Sequence, residues 1–109
     1  MENAHEISLQ EAIDLTTRYR ANQPAGCSLS ETFQVDAIEK LISAGGCKFL
    51  RIYFGMKENG NVVTILVAAN EDNEDILPGP DTLTTTEPVI LEDGFVCPPL
   101  CPKPSPLNS

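Results

Sequence analysis

Residues 47–69 read CKFLRIYFGMKENGNVVTILVAA. Two runs rich in aromatic and β-branched residues flank Lys57-Glu58-Asn59-Gly60-Asn61, and an Asn-Gly pair tolerates the backbone conformations that a tight reversal needs. The stretch predicts an antiparallel β-hairpin. Apolar residues occupy both parities of each run: Phe49 and Tyr53 alternate with Leu50, Ile52 and Phe54, while Val63, Ile65 and Val67 alternate with Val62 and Leu66. A sheet with one wet face shows apolar and polar residues in alternation, so both faces of this hairpin are expected to be at least partly covered. Helices from the N-terminal part supply one cover, and the C-terminal segment or a second copy of the chain supplies the other.

Upstream, Ser8 is followed three residues later by Glu11, the spacing of a capping box, with Ile7 placed as a hydrophobic staple. A helix starts there, with Leu9, Ala12, Ile13, Thr16 and Tyr19 on one face. It ends before Asn22-Gln23-Pro24, because a residue preceding proline is biased out of the helical region. Residues 26–33, GCSLSETF, read as a loop. Val35, Ile38, Leu41 and Ile42 then form a second amphipathic stripe, and Gly45-Gly46 supply a left-handed C-cap.

Downstream, residues 70–75 (NEDNED) form a solvated polar turn, and ILPGPDTLTTTEP is a proline-punctuated loop with a short strand at 82–86. Pro88 restricts its successors to an edge position, so residues 89–91 are expected as a short edge strand. Glu92-Asp93-Gly94 turns the chain into Phe95-Val96. The resulting fold class is α+β: two N-terminal helices packed on a small antiparallel sheet centred on the hairpin, with a Pro-rich C-terminal tail. Residues 1–95 form one domain and residues 96–109 the tail, which crosses and blunts the sheet edge. The expected core is Ile13, Tyr19, Ile38, Leu41, Ile42, Phe49, Ile52, Phe54, Ile65 and Val67.

At 109 residues and 41% hydrophobic, the chain is long enough to bury a core without metal or disulfide support. Its net charge is -9, distributed unevenly: residues 1–57 carry seven acids and six bases, residues 58–109 nine acids against Lys103 alone. Such a chain is a poor ligand for nucleic acid or anionic membranes and suits a basic protein partner. It has no apolar run of membrane-spanning length and no leader-like start, so the expected location is the cytoplasm.

The tail holds the densest cluster of unusual residues, FVCPPLCPKPSPLNS. Drawn out as polyproline II, Cys97 and Cys101 would stand about 12 Å apart, far beyond the roughly 4.4 to 6.8 Å that a disulfide spans. Joining them, or offering both to one metal, requires a turn, either through a cis Pro99 or through one helical turn opened by the prolines. Zinc held by Cys97 and Cys101, with Cys27 or Cys47 completing the set, is therefore one expectation for the thiols; disulfide or redox use is another, and four reduced cysteines a third. His5 is the single histidine and precedes the first helix. The acidic pairs all fall in expected turns, where water holds carboxylates near their ordinary behaviour.

These readings point first to a small non-enzymatic interaction protein without a cofactor, monomeric or homodimeric. It would bind its partner through the acidic second half and the tail residues Pro98, Pro99, Leu100 and Pro102, since proline-rich segments bind at low entropic cost. A thiolate zinc or redox protein and an enzyme with an unrecognised site are the alternatives.

Overall fold

The computed structural model describes residues 4–79 and 88–108. It is an α+β fold of two helices and two small antiparallel sheets. Helix α1 (Leu9–Ala21) begins at Ser8, whose Oγ accepts from the Glu11 amide at 3.0 Å, and stops at Asn22, whose amide donates to the Tyr19 carbonyl. Helix α2 (Val35–Ile42) ends at Ser43, which remains right-handed. The left-handed residue is Gly46 (φ +83°), in the turn that leads into the next strand, so the glycine pair redirects the chain just after the helix has closed.

The hairpin forms as expected. Strand β2 (Phe49–Met56) pairs antiparallel with β3 (Val62–Ala69), with Tyr53 opposite Ile65 and Phe54 opposite Thr64. At the turn the Lys57 amide donates to Asn61 and the Gly60 amide to Lys57, with Gly60 at φ +90°. A second hairpin brings β4 (Asp75–Ile76) onto β3, where Asn70 Oδ1 accepts from the amides of both Asp72 and Glu74. The polar NEDNED run is thus the end of a β-hairpin.

Two further strands lie in segments without a local strand signal. Strand β1 (Ser30–Thr32), within the stretch expected as loop, pairs with β5 (Phe95–Cys97) to make a separate two-stranded ribbon. The sheet order β2-β3-β4 leaves β2 at an edge, while the outer edge of β3 is served piecemeal. The Val62 amide donates to Gly26, the Thr64 amide to the Glu31 carboxylate, and Leu66 exchanges two hydrogen bonds with Leu91. The strand expected at residues 89–91 is therefore a single bridge, and the one expected at 82–86 lies outside the described residues.

The core is small. Leu41 of α2 meets Leu66 and Ala68 of β3, with Phe33, Ile38, Ile76, Val89 and Leu91 packed around them. On the opposite face of β3, Val67 and Ala69 are buried as well. Of the ten residues expected in the core, Leu41 and Val67 are buried, and Ile13, Tyr19, Ile38 and Ile65 are half-buried. Ile42, Phe49, Ile52 and Phe54 are exposed, Phe54 at 78%. The expectation failed because it placed both helices on the hairpin. Helix α2 packs on β3, but α1 bonds to the ribbon side, with Tyr19 Oη donating to the Ser28 carbonyl at 2.7 Å and Arg20 Nη1 to the Leu107 carbonyl at 2.6 Å. No residue of α1 is buried. The molecule is accordingly broad, with a radius of gyration of 16.0 Å, where a compact domain of this length would have about 13 Å. No helix among the described residues is long and apolar enough to cross a membrane.

Candidate functional site

The cysteine-proline tail closes on itself. Cys97 and Cys101 are joined by a disulfide, their Cα atoms 4.5 Å apart, and the Cys97-Pro98 and Pro98-Pro99 peptide bonds are both cis. Neither sulfur is then a thiolate, the form that zinc requires. Cys27 and Cys47 are free and half-buried in separate surroundings: Cys27 sits beside Tyr19, and Cys47 Sγ lies 3.6 Å from the Phe49 carbonyl. Among the described residues no three His, Cys, Asp or Glu side chains are grouped to hold a metal ion. Pro98, Pro99, Leu100 and Pro102 are exposed on a closed loop instead of an extended segment. Beyond that loop the tail turns back to α1, reached by the Arg20–Leu107 hydrogen bond.

A polar network crosses the face of the sheet opposite α2. Asp75 on β4 receives Arg51 Nη1 on one carboxylate oxygen and Tyr53 Oη on the other, the latter at 2.5 Å, and Arg51 Nη2 donates to the Asn73 side chain. The register explains the reach. Arg51 lies opposite Val67 and Asp75 opposite Ala69, so the pair closes over β3 where the small Ala69 leaves room. The hydrogen bond from Tyr53, together with Arg51, holds the Asp75 carboxyl below the ordinary carboxylate value, although partial burial opposes this. The same hydrogen bond raises the Tyr53 phenol above its ordinary value. At neutral pH Asp75 is therefore a firmly ionised carboxylate and Tyr53 a firmly protonated phenol.

Strand β2 is the largest unsatisfied feature. One edge has no partner strand among the described residues, and Phe49, Leu50, Ile52, Tyr53, Phe54 and Met56 are all exposed. The Lys57–Asn61 hydrogen bond sets the alternation of the ladder, so the backbone groups of Ile52, Phe54 and Met56 face away from β3. Proteins commonly blunt such an edge with charge. Here Arg51 is engaged with Asp75, and Lys57 with Glu92 and Asp93 at 3.8 and 3.9 Å, which leaves Lys48, immediately before the strand, as the nearby cation outside these ion pairs.

Beside this strand, between β1 and the hairpin, lies a cleft of about 460 Å³ walled by Tyr19, Phe33, Ile52, Phe54 and Val62. Glu31 lines it and is the one charged residue among its described walls. Its Oε2 accepts from both the amide and the hydroxyl of Thr64, while Oε1 is enclosed and has no hydrogen-bond partner. Burial raises the Tyr19 phenol above its ordinary value, with Cys27 adding to the effect. Sequence reasoning passed over Glu31 because a single acid in a loop-like stretch carries no pattern. It passed over Asp75 because the acid was assigned to open solvent. The shared parity of Arg51 and Tyr53 was the available signal for the latter site. No family model, no curated protein and no solved structure matches this chain.

Proposed function

We propose that this chain is a non-enzymatic interaction module that receives an extended strand of a basic partner protein along β2. The observation that carries the reading is the unpaired β2 edge, flanked on both faces by exposed apolar side chains. Main-chain hydrogen bonds to such an edge supply affinity, and alternate side chains supply specificity. The net charge of -9 favours a basic partner, because long-range attraction speeds encounter and weakens with salt. A binding role also suits the Arg51–Tyr53–Asp75 network, since an ionised Asp75 and a protonated Tyr53 are poorly matched to proton transfer near neutral pH. The exposed loop residues Pro98, Pro99, Leu100 and Pro102 remain a secondary contact in this reading, recognised as a closed loop. As to location, a disulfide is most at home in an oxidising compartment, which weighs against the cytoplasm.

The test uses a short peptide of alternating valine and lysine with wild type and with Ile52→Pro. Proline removes one outward N–H from the edge while the inward ladder is retained. Binding should fall with added salt and be lost in the variant, with circular dichroism unchanged. Equal binding by the folded variant would rule out the β2 edge as the site.

A further inference from the structure

We infer that the cleft between β1 and the hairpin binds a small organic ammonium ion with an aromatic body, a ligand site that shares the Ile52 and Phe54 side chains with β2 but takes its charge from Glu31, off the docking edge. Its volume of about 460 Å³ lies within the roughly 300–1,000 Å³ of small-molecule pockets, and its walls are dominated by apolar and aromatic side chains with few polar groups. That composition selects an apolar body. The charge of the ligand is dictated by Glu31. Its carboxylate is half-buried, one oxygen is saturated by Thr64, and the other is enclosed without a donor. No described cation forms an ion pair with it, since Arg51 is committed to Asp75 and Lys57 to Glu92 and Asp93.

A carboxylate set among apolar groups is costly unless a counter-charge lies near, and its field is little screened within the cleft. An ammonium ion in the cleft supplies that charge through the field of Glu31, whose free oxygen is enclosed behind the wall, and the aromatic residues Tyr19, Phe33 and Phe54 line the space such an ion would occupy. A cleft of this volume with aromatic and apolar walls is filled better by an aromatic body than by the methylene stem of a lysine side chain. The site therefore takes a free small molecule in preference to a protein side chain.

The experiment titrates the full chain with phenethylammonium, with its neutral counterpart 2-phenylethanol, and with Nα-acetyl-lysine amide, followed by calorimetry and backbone-amide NMR. Phenethylammonium is expected to bind about tenfold more tightly than either other probe, with shifts concentrated at residues lining the cleft. In Glu31→Gln, which keeps a carbonyl oxygen for Thr64, the two phenyl compounds should become equal. Equal affinities in wild type, or a preference that survives in Glu31→Gln, would overturn the assignment, and so would binding of the lysine derivative as tight as that of phenethylammonium. Should Glu31→Gln fail to fold, Phe54→Ala at an exposed position should weaken both phenyl compounds several-fold, and unchanged binding there would overturn the site equally. Because Ile52 also lines the cleft, Ile52→Pro is scored on peptide binding alone, and the cleft is judged by Glu31→Gln, at a position on β1 and off the β2 edge.

Discussion

Asp75 is shared by a phenol and a guanidinium, and its substitution should be legible in two pH windows. Its folded-state pKa is depressed, so its contribution to stability is present above the ordinary 3.8 and is lost as pH falls through the folded value. Tyr53 has the opposite sign: its pKa is raised, so its contribution is present below the ordinary 10.0 and is lost as pH rises through the folded value. Asp75→Asn should flatten the acid limb of a stability–pH curve. In a phenolate absorbance titration it should lower one of the two tyrosine transitions toward the ordinary value while Tyr19, raised by burial, stays in place. Two unmoved transitions would show that Tyr53 does not depend on Asp75. A second residue-scale prediction concerns Gly26. It adopts φ +83°, and a Cβ there would lie 2.6 Å from the Gly60 carbonyl oxygen, while its own carbonyl accepts from the Val62 amide. Gly26→Ala combines left-handed strain of about 1–2 kcal/mol with a backbone clash, so denaturant unfolding should show a loss of at least that size.

At the level of elements, the two strands of one hairpin have opposite fates. Strand β3 ends in four consecutive buried residues, whereas β2 exposes most of its side chains. Leu41→Ala, which empties the contact between α2 and β3, should cost about 2–5 kcal/mol in chemical denaturation. Phe54→Ser should change stability by no more than about 0.5 kcal/mol despite the larger side chain, because the ring is 78% exposed. If Phe54→Ser proved as damaging as Leu41→Ala, the ring would have to be buried in solution. The elements most legible in the sequence were those with local signals: the Ser8 cap and the proline after α1, the apolar stripe of α2, and the Asn-Gly hairpin. The ribbon β1–β5 was not legible, since its strands are three residues long and each finds its partner at the far end of the chain. Burial was legible only in part. Apolar residues at both parities marked β2 and β3 alike, and nothing local distinguishes a strand covered by its own chain from one left open. Asp75 and Glu31 escaped notice for a related reason, as each acquires its role from a strand that meets it only in the fold.

The whole molecule is broad, with a small core and one internal crosslink. Its free thiols give a direct check: alkylation of the native protein should modify Cys27 and Cys47, and prior reduction should expose Cys97 and Cys101 as well, read by intact mass. In the chain-entropy treatment so short a loop contributes about 2 kcal/mol, so reduction should lower stability by no more than roughly that amount and leave the hairpin intact. Four thiols alkylated without reductant would remove the crosslink from the native state.

The piecemeal outer edge of β3 bears on the order in which the chain can assemble. Residues 47–69 contain everything needed for the central hairpin, a contact of short loop length that closes in microseconds in comparable peptides. Gly26 and Glu31 can dock on that hairpin once it exists, but Leu91 and the Phe95–Cys97 partner of β1 are the last of these pieces to leave a ribosome. Until then Ser30–Thr32 waits with its ladder unmade, and closing so long a loop is the slower event. The ribbon is thus a late clasp: synthesis of Phe95–Cys97, and not of the hairpin, completes the pairing of β1 with β5.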